Sequence, residues 1–166
     1  MPQLHQPVDI TRPIAALNRW VSRDEAITDP YAQIVGTEWS HSEFLRVQDR
    51  IHEARERLAT AKTLQPNWDS YGAEPPNKRS RAVAVRILDV LQQKSIPPTR
   101  LVASAEGGIG IVFTDGDRYA DIECLNSGEI MVAAYSGQQV PEVWEVEPTD
   151  DGISAALERI RVHIAA

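Results

Sequence analysis

Between residues 100 and 147 the chain alternates in hydrophobicity and is punctuated by tight-turn signals about every 8 to 12 residues. Connections that short cannot cross over a sheet, so each run must pair with the next one, antiparallel. Residues 101–105 meet Glu106-Gly107-Gly108, and Ile109-Gly110-Ile111-Val112-Phe113 runs on to Asp115-Gly116. Residues 118–125 meet Asn126-Ser127-Gly128. Residues 130–135 meet a longer link, Gly137-Gln138-Gln139-Val140-Pro141, before Val143-Trp144-Glu145-Val146. In the third run Ala120, Ile122 and Cys124 share one face, and Tyr119, Asp121 and Glu123 share the other. The pattern predicts a meander of about five strands with one apolar face.

Helical periodicity flanks that region. Ser40-His41-Ser42-Glu43 has capping-box spacing, and Phe44, Val47, Ile51, Ala54, Leu58 and Ala61 then recur three and four apart. This predicts a helix over 40–64, with Glu53 and Arg57 spaced to pair. A second helix is predicted over 78–94, capped by Asn77 or Ser80 and burying Val83, Ala84, Ile87, Leu88, Val90 and Leu91. A third, over 150–164, is capped by Thr149 or Asp150 and puts Ile153, Ala156, Leu157, Ile160 and Ile164 on one stripe. Residues 1–39 read as an N-terminal extension with one short helix, striped by Ile14, Leu17, Trp20 and Val21. Residues 40–166 therefore read as a two-layer α+β domain: an antiparallel meander covered on one face by helices, with the other face solvated or bound to a partner.

The first two helices are joined by a loop, 65–77, that is dense in aromatic, acidic, Gly and Pro residues: Asn67-Trp68-Asp69-Ser70-Tyr71-Gly72-Ala73-Glu74-Pro75-Pro76-Asn77. Pro66 stops the preceding helix, Asp69 and Ser70 can bond nearby backbone N–H groups, and Gly72 can take a positive φ. Trp68 and Tyr71 either fill the gap between helices and sheet or contact a ligand or partner. Leu64, Trp68-Asp69-Ser70-Tyr71-Gly72-Ala73 and Pro76 resemble the Trp-Asp-Gly/Ser-Tyr-Gly-Ala-x-x-Pro signature of a family of small bacterial proteins. The resemblance spans roughly residues 58 to 147 and implies the same succession of helix, Gly-Gly turn and strands. It brings no known chemistry with it.

Composition narrows the chemistry. A net charge of −7 over 166 residues argues against a surface that coats nucleic acid, which needs a basic stripe. The single cysteine, Cys124, forms no intramolecular disulfide and reads as a small core residue rather than a nucleophile. No apolar run reaches a membrane span, and Met1-Pro2-Gln3-Leu4-His5-Gln6-Pro7 is not a secretory signal, so a cytoplasmic location is expected. His5, His41, His52 and His163 are scattered, which leaves no His/Cys metal set, and no cofactor motif appears.

Two surfaces remain. Asp121 and Glu123, spaced as on the solvated face of a strand, could join Asp69 as the carboxylates of a metal-assisted hydrolase or nuclease. Alternatively, Trp68, Tyr71, Tyr119 and Tyr135 form an aromatic patch rimmed by Asp69, Asp121 and Glu123, with Trp20 as a second docking element. The second reading is preferred: a non-enzymatic bacterial interaction module, antitoxin-like or phage-defence associated, with a protein partner, no nucleic acid, no membrane, and self-association left open. An acidic mimic of nucleic acid is the third reading.

Overall fold

The computed structural model describes residues 41–166. The short helix expected near residues 11–21, Trp20, and the Ser40 cap lie outside the described residues.

Helix α1 (His41–Ala61) buries Val47, Ile51, Ala54, Leu58 and Ala61, while Phe44 at its start is half exposed. Its end falls short of residue 64. The amides of Lys62, Thr63 and Leu64 reach back three residues to Ala59, Thr60 and Ala61, a tightened last turn ahead of Pro66. Glu53 accepts from Arg57 at 2.9 Å, as the spacing predicts. Helix α2 (Lys78–Lys94) is capped by Asn77, whose side chain accepts from the amides of Arg79 and Ser80. Ser95, at φ 56°, closes its other end. Gln48 meets Gln92 and Arg55 meets Asp89, so the two helices run antiparallel and their seam belongs to the core.

The strands are β1 (Arg100–Ser104), β2 (Gly108–Asp115), β3 (Arg118–Leu125), β4 (Ile130–Ser136) and β5 (Glu142–Val146). They lie side by side in chain order, every pair antiparallel. The β2–β3 turn is Gly116-Asp117, one residue later than Asp115-Gly116, because Gly116 supplies the positive φ and Asp115 pairs with Arg118. Leu101, Ile109, Ile111, Phe113, Ala120, Ile122, Cys124, Ile130 and Val132 all sit on one face in the core. Helix α3 (Asp150–Ala165), capped by Thr149, completes that layer with Ile153, Leu157, Ile160 and Ile164. The domain is a two-layer α+β fold with all three helices packed on one face of the sheet.

The loop between α1 and α2 is fixed from both ends. Asn67 and Ser70, both at φ 65°, and Gly72, at φ 93°, reverse the chain within a few residues. One Asp69 oxygen accepts the amides of Tyr71 and Ala73, and Asn67 Oδ1 accepts that of Gly72. The exit is clasped by Asn126 in the β3–β4 turn. Its side-chain oxygen accepts from the Asn77 amide at 2.8 Å and the Ser80 hydroxyl at 2.9 Å, and its Nδ2 donates to Pro75 at 3.1 Å. Its own amide reaches the Gly107 carbonyl, so one residue joins the loop, the start of α2 and two hairpin tips.

Removing three side-chain hydrogen bonds at a partly buried site costs about 2–3 kcal/mol. Asn126→Ala should therefore lower the urea midpoint clearly. Ser127→Ala, which loses an exposed contact to Glu129, should cost under about 1 kcal/mol. Equal effects of the two substitutions would mean that the clasp contributes nothing special.

Candidate functional site

The strand register maps the sheet face turned away from the helices. Arg100, Val112, Asp121, Ala133 and Val143 form one row across the five strands; Val102, Gly110, Glu123, Met131 and Glu145 form the next. Tyr119 and Tyr135 stand opposite each other one step along, with ring centroids 4.9 Å apart and planes 22° apart.

This face is not the solvated surface that alternating acids suggest. Asp121 is only 5% exposed and Glu123 9%. Glu123 owes its position to two glycines. Gly108 and Gly110 on β2 present no side chain to this face, so Glu123 on β3 reaches over β2 and accepts a hydrogen bond from Ser104 Oγ on β1. A Cβ on Gly108 would lie 2.2 Å from the Cys124 carbonyl oxygen, so the gap is built into the close approach of the strands. Ser104 Oγ also accepts the amide of Glu106 at 3.2 Å, tying the bridge to the hairpin turn.

Burial pushes both carboxyls up. Asp121 rises from 3.8 to about 7, mainly through desolvation and then through repulsion from Glu123. Glu123 is raised by desolvation, with the Ser104 hydrogen bond opposing. Desolvation likewise raises the Tyr119 hydroxyl, with Asp121 and Tyr135 adding to it and Arg100 opposing. The Tyr119 hydroxyl is buried and has no hydrogen-bond partner among the described residues. An unsatisfied hydroxyl beside two raised carboxyls is costly, and such clusters concentrate at functional sites.

A groove of about 440 Å³ opens at the β1 edge. Arg57 and Thr60 from the end of α1 form one wall with Leu64 and Trp68 beyond it, and the whole of β1 forms the other, with Glu106 and Glu123 also lining it. Trp68 is half-buried, and its Nε1–H is enclosed with no acceptor among the described residues. Arg100 likewise lines the groove without a hydrogen-bond or ion-pair partner among the described residues. Arg57 is held by Glu53.

The single aromatic patch expected from sequence is divided. Trp68 faces the β1 groove, whereas Tyr71 is 77% exposed, because the positive-φ residues on either side of it turn the chain outward. Ala73 and Pro76 are the buried residues of the loop. Tyr119 and Tyr135 are together but lie on the sheet face, not in the groove wall. Asp121 and Glu123 are neighbours there. Asp69 instead directs its carboxylate at its own loop's amides, which hold it below its ordinary value. Among the described residues no three His, Cys, Asp or Glu side chains are grouped as a metal site. Cys124 lies in the core with its thiol pushed up by burial.

Arg100 and Ser104 were not singled out from sequence, and Arg57 and Asn126 were read only as an ion-pair partner of Glu53 and as a turn residue. The one available signal was Gly108 and Gly110 recurring at strand spacing, a side-chain gap on one face. Comparison with protein-family models, curated proteins and solved structures gives no match. Among the described residues no helix is long and apolar enough to cross a membrane.

The raised Asp121 carboxyl makes stability pH-dependent. A folded value of about 7 against an ordinary 3.8 means that the native state holds a proton the unfolded state has released. This contribution is complete below about pH 4 and is lost as pH rises through 7, an effect of at most about 4 kcal/mol. Glu123 acts in the same direction, whereas Asp69 and Glu158, whose values are lowered, lose their contribution only on acidification. Urea unfolding should therefore show falling stability between pH 5 and 8 in the wild type and a much flatter profile in Asp121→Asn. Parallel profiles would place Asp121 in contact with water.

Proposed function

We propose that this chain is a non-enzymatic protein-interaction module whose recognition surface is the groove between Trp68, the end of α1 and the free edge of β1. The observation that carries this reading is the groove itself. It sets the half-buried Trp68 and the guanidinium of Arg100, which has no partner among the described residues, against a strand whose one strand neighbour among the described residues is β2. An aromatic anchor and an arginine beside apolar walls are the elements that dominate binding energy at interfaces. The residues that would perform chemistry are committed elsewhere: Ser104 to Glu123 and the hairpin turn, Asp69 to its loop. The biological form we propose is a cytoplasmic bacterial module that captures the product of a neighbouring gene, as an antitoxin or phage-defence component does. That setting is motivated by the motif resemblance.

A second reading, acid–base catalysis on the sheet face, draws support from Asp121, whose carboxyl near 7 could exchange a proton at neutral pH. The third reading, mimicry of nucleic acid, loses support from the burial of Asp121 and Glu123, which removes both from any surface charge array.

Affinity purification of the full chain from its host separates these. Trp68→Ala should weaken capture of the partner about 10-fold or more, while Val162→Ala on the exposed side of α3 should leave it unchanged. Asp121→Asn should bind as wild type. Partner capture indifferent to Trp68, or a turnover abolished by Asp121→Asn, would remove the interaction reading.

A further inference from the structure

The two edges of the sheet are not alike. Edge strands invite pairing with another chain, and proteins guard them with charges, prolines or covering elements. At β5 the guards are present. Pro141 precedes the strand, Glu142 and Glu145 stand on it, and Arg159 of α3 pairs with Glu142 and lies 3.8 Å over the Trp144 ring. At β1 they are fewer: Pro97 and Pro98 precede the strand and Arg100 opens it, but no ion pair guards it among the described residues. Its sequence is Arg100-Leu101-Val102-Ala103-Ser104, with no proline and no acid, and its single strand neighbour among the described residues is β2. In an antiparallel pair alternate residues turn their N–H and C=O groups away from the neighbour, so β1 carries a row of both with no strand partner among the described residues. Every residue of β1 lines the groove.

The charges along the groove are ordered. Arg100, without a hydrogen-bond or ion-pair partner among the described residues, stands at the start of β1, and Glu106 lies in the turn just beyond its end. Glu123 is hydrogen-bonded to Ser104 and nearly buried, so it adds little exposed negative charge, and Arg57 in the opposite wall is paired with Glu53. The groove therefore has a positive end and a negative end, separated by about the length of a five- or six-residue strand.

We propose that the groove binds an extended peptide segment of a partner protein, added to the free edge of β1 as a further strand, with an acidic side chain on Arg100 and a basic one toward Glu106. An apolar side chain of that strand enters beside Leu64 and the half-buried Trp68. Main-chain pairing supplies affinity, and the charge order fixes the direction of the strand. This deepens the interaction reading and rests on it.

The test uses the full chain and a phage-displayed library of random ten-residue peptides, followed by synthetic peptides of the selected sequences. The expected selection is extended, alternating sequences with an acidic residue about five positions from a basic one. Binding should slow exchange of those β1 amides that face away from β2. Arg100→Gln should weaken binding about 10-fold or more. Arg100→Glu should abolish it, and replacing the peptide's acid with lysine should restore it. Selected peptides without the acid, unprotected β1 amides, no selected peptide, or a charge reversal that restores nothing would each overturn strand addition. So would light scattering showing a Trp68-dependent dimer, since the occupant would then be a second copy. If the captured partner still depends on Trp68 while these peptides fail, strand addition alone falls. If Trp68 dependence is lost as well, the interaction reading falls with it.

Discussion

The Asn126 carboxamide ties together pieces of chain that no local pattern joins. It binds the exit of the loop at Pro75 and Asn77 and the first turn of α2 at Ser80, while the backbone N–H of Asn126 donates to Gly107 in the β1–β2 turn. A carboxamide can donate and accept at once, and here each capacity meets a backbone or hydroxyl group that would otherwise lose water without compensation. Because the loop is anchored at that end and closed on itself by Asp69 and Asn67, Trp68 is held opposite β1 rather than left in solvent. The groove is a consequence of those constraints.

The sheet face away from the helices follows a different logic. Gly108 is required where β2 and β3 approach closely, and the space that it and Gly110 leave lets Glu123 cross β2 to Ser104. The crossing ties the β1–β2 turn to β3 but enforces burial of a carboxyl, and Asp121 beside it is buried without a comparable partner. Opposing that cost are the core on the other face and the Tyr119–Tyr135 stack. The same face thus combines strong packing with poorly satisfied polar groups, which are costly in a low-dielectric setting.

Much of the fold was legible. The turn spacing implied the strand order, the three- and four-residue spacings located the buried stripes of all three helices, and Asn77 and Thr149 proved to be the caps. Those features depend on a few consecutive residues. The site was legible only in part. Trp68, expected on a partner-binding surface, lines the groove, but Tyr71, three residues away, stands in solvent. Asp121 and Glu123 share one face as alternation requires, yet alternation cannot tell a wet face from a dry one.

The sequence by itself determined which segments are helix and strand, which stripe of each is apolar, and that neighbouring strands pair in order, because period, caps and turn residues act over a handful of positions. Only the tertiary structure decided that Glu123 meets Ser104 across two glycines, that Asn126 holds the loop, and that Trp68 and Arg100 border one groove. These depend on strand register and on contacts between residues many positions apart, and a one-residue change of register would send each side chain to the opposite face.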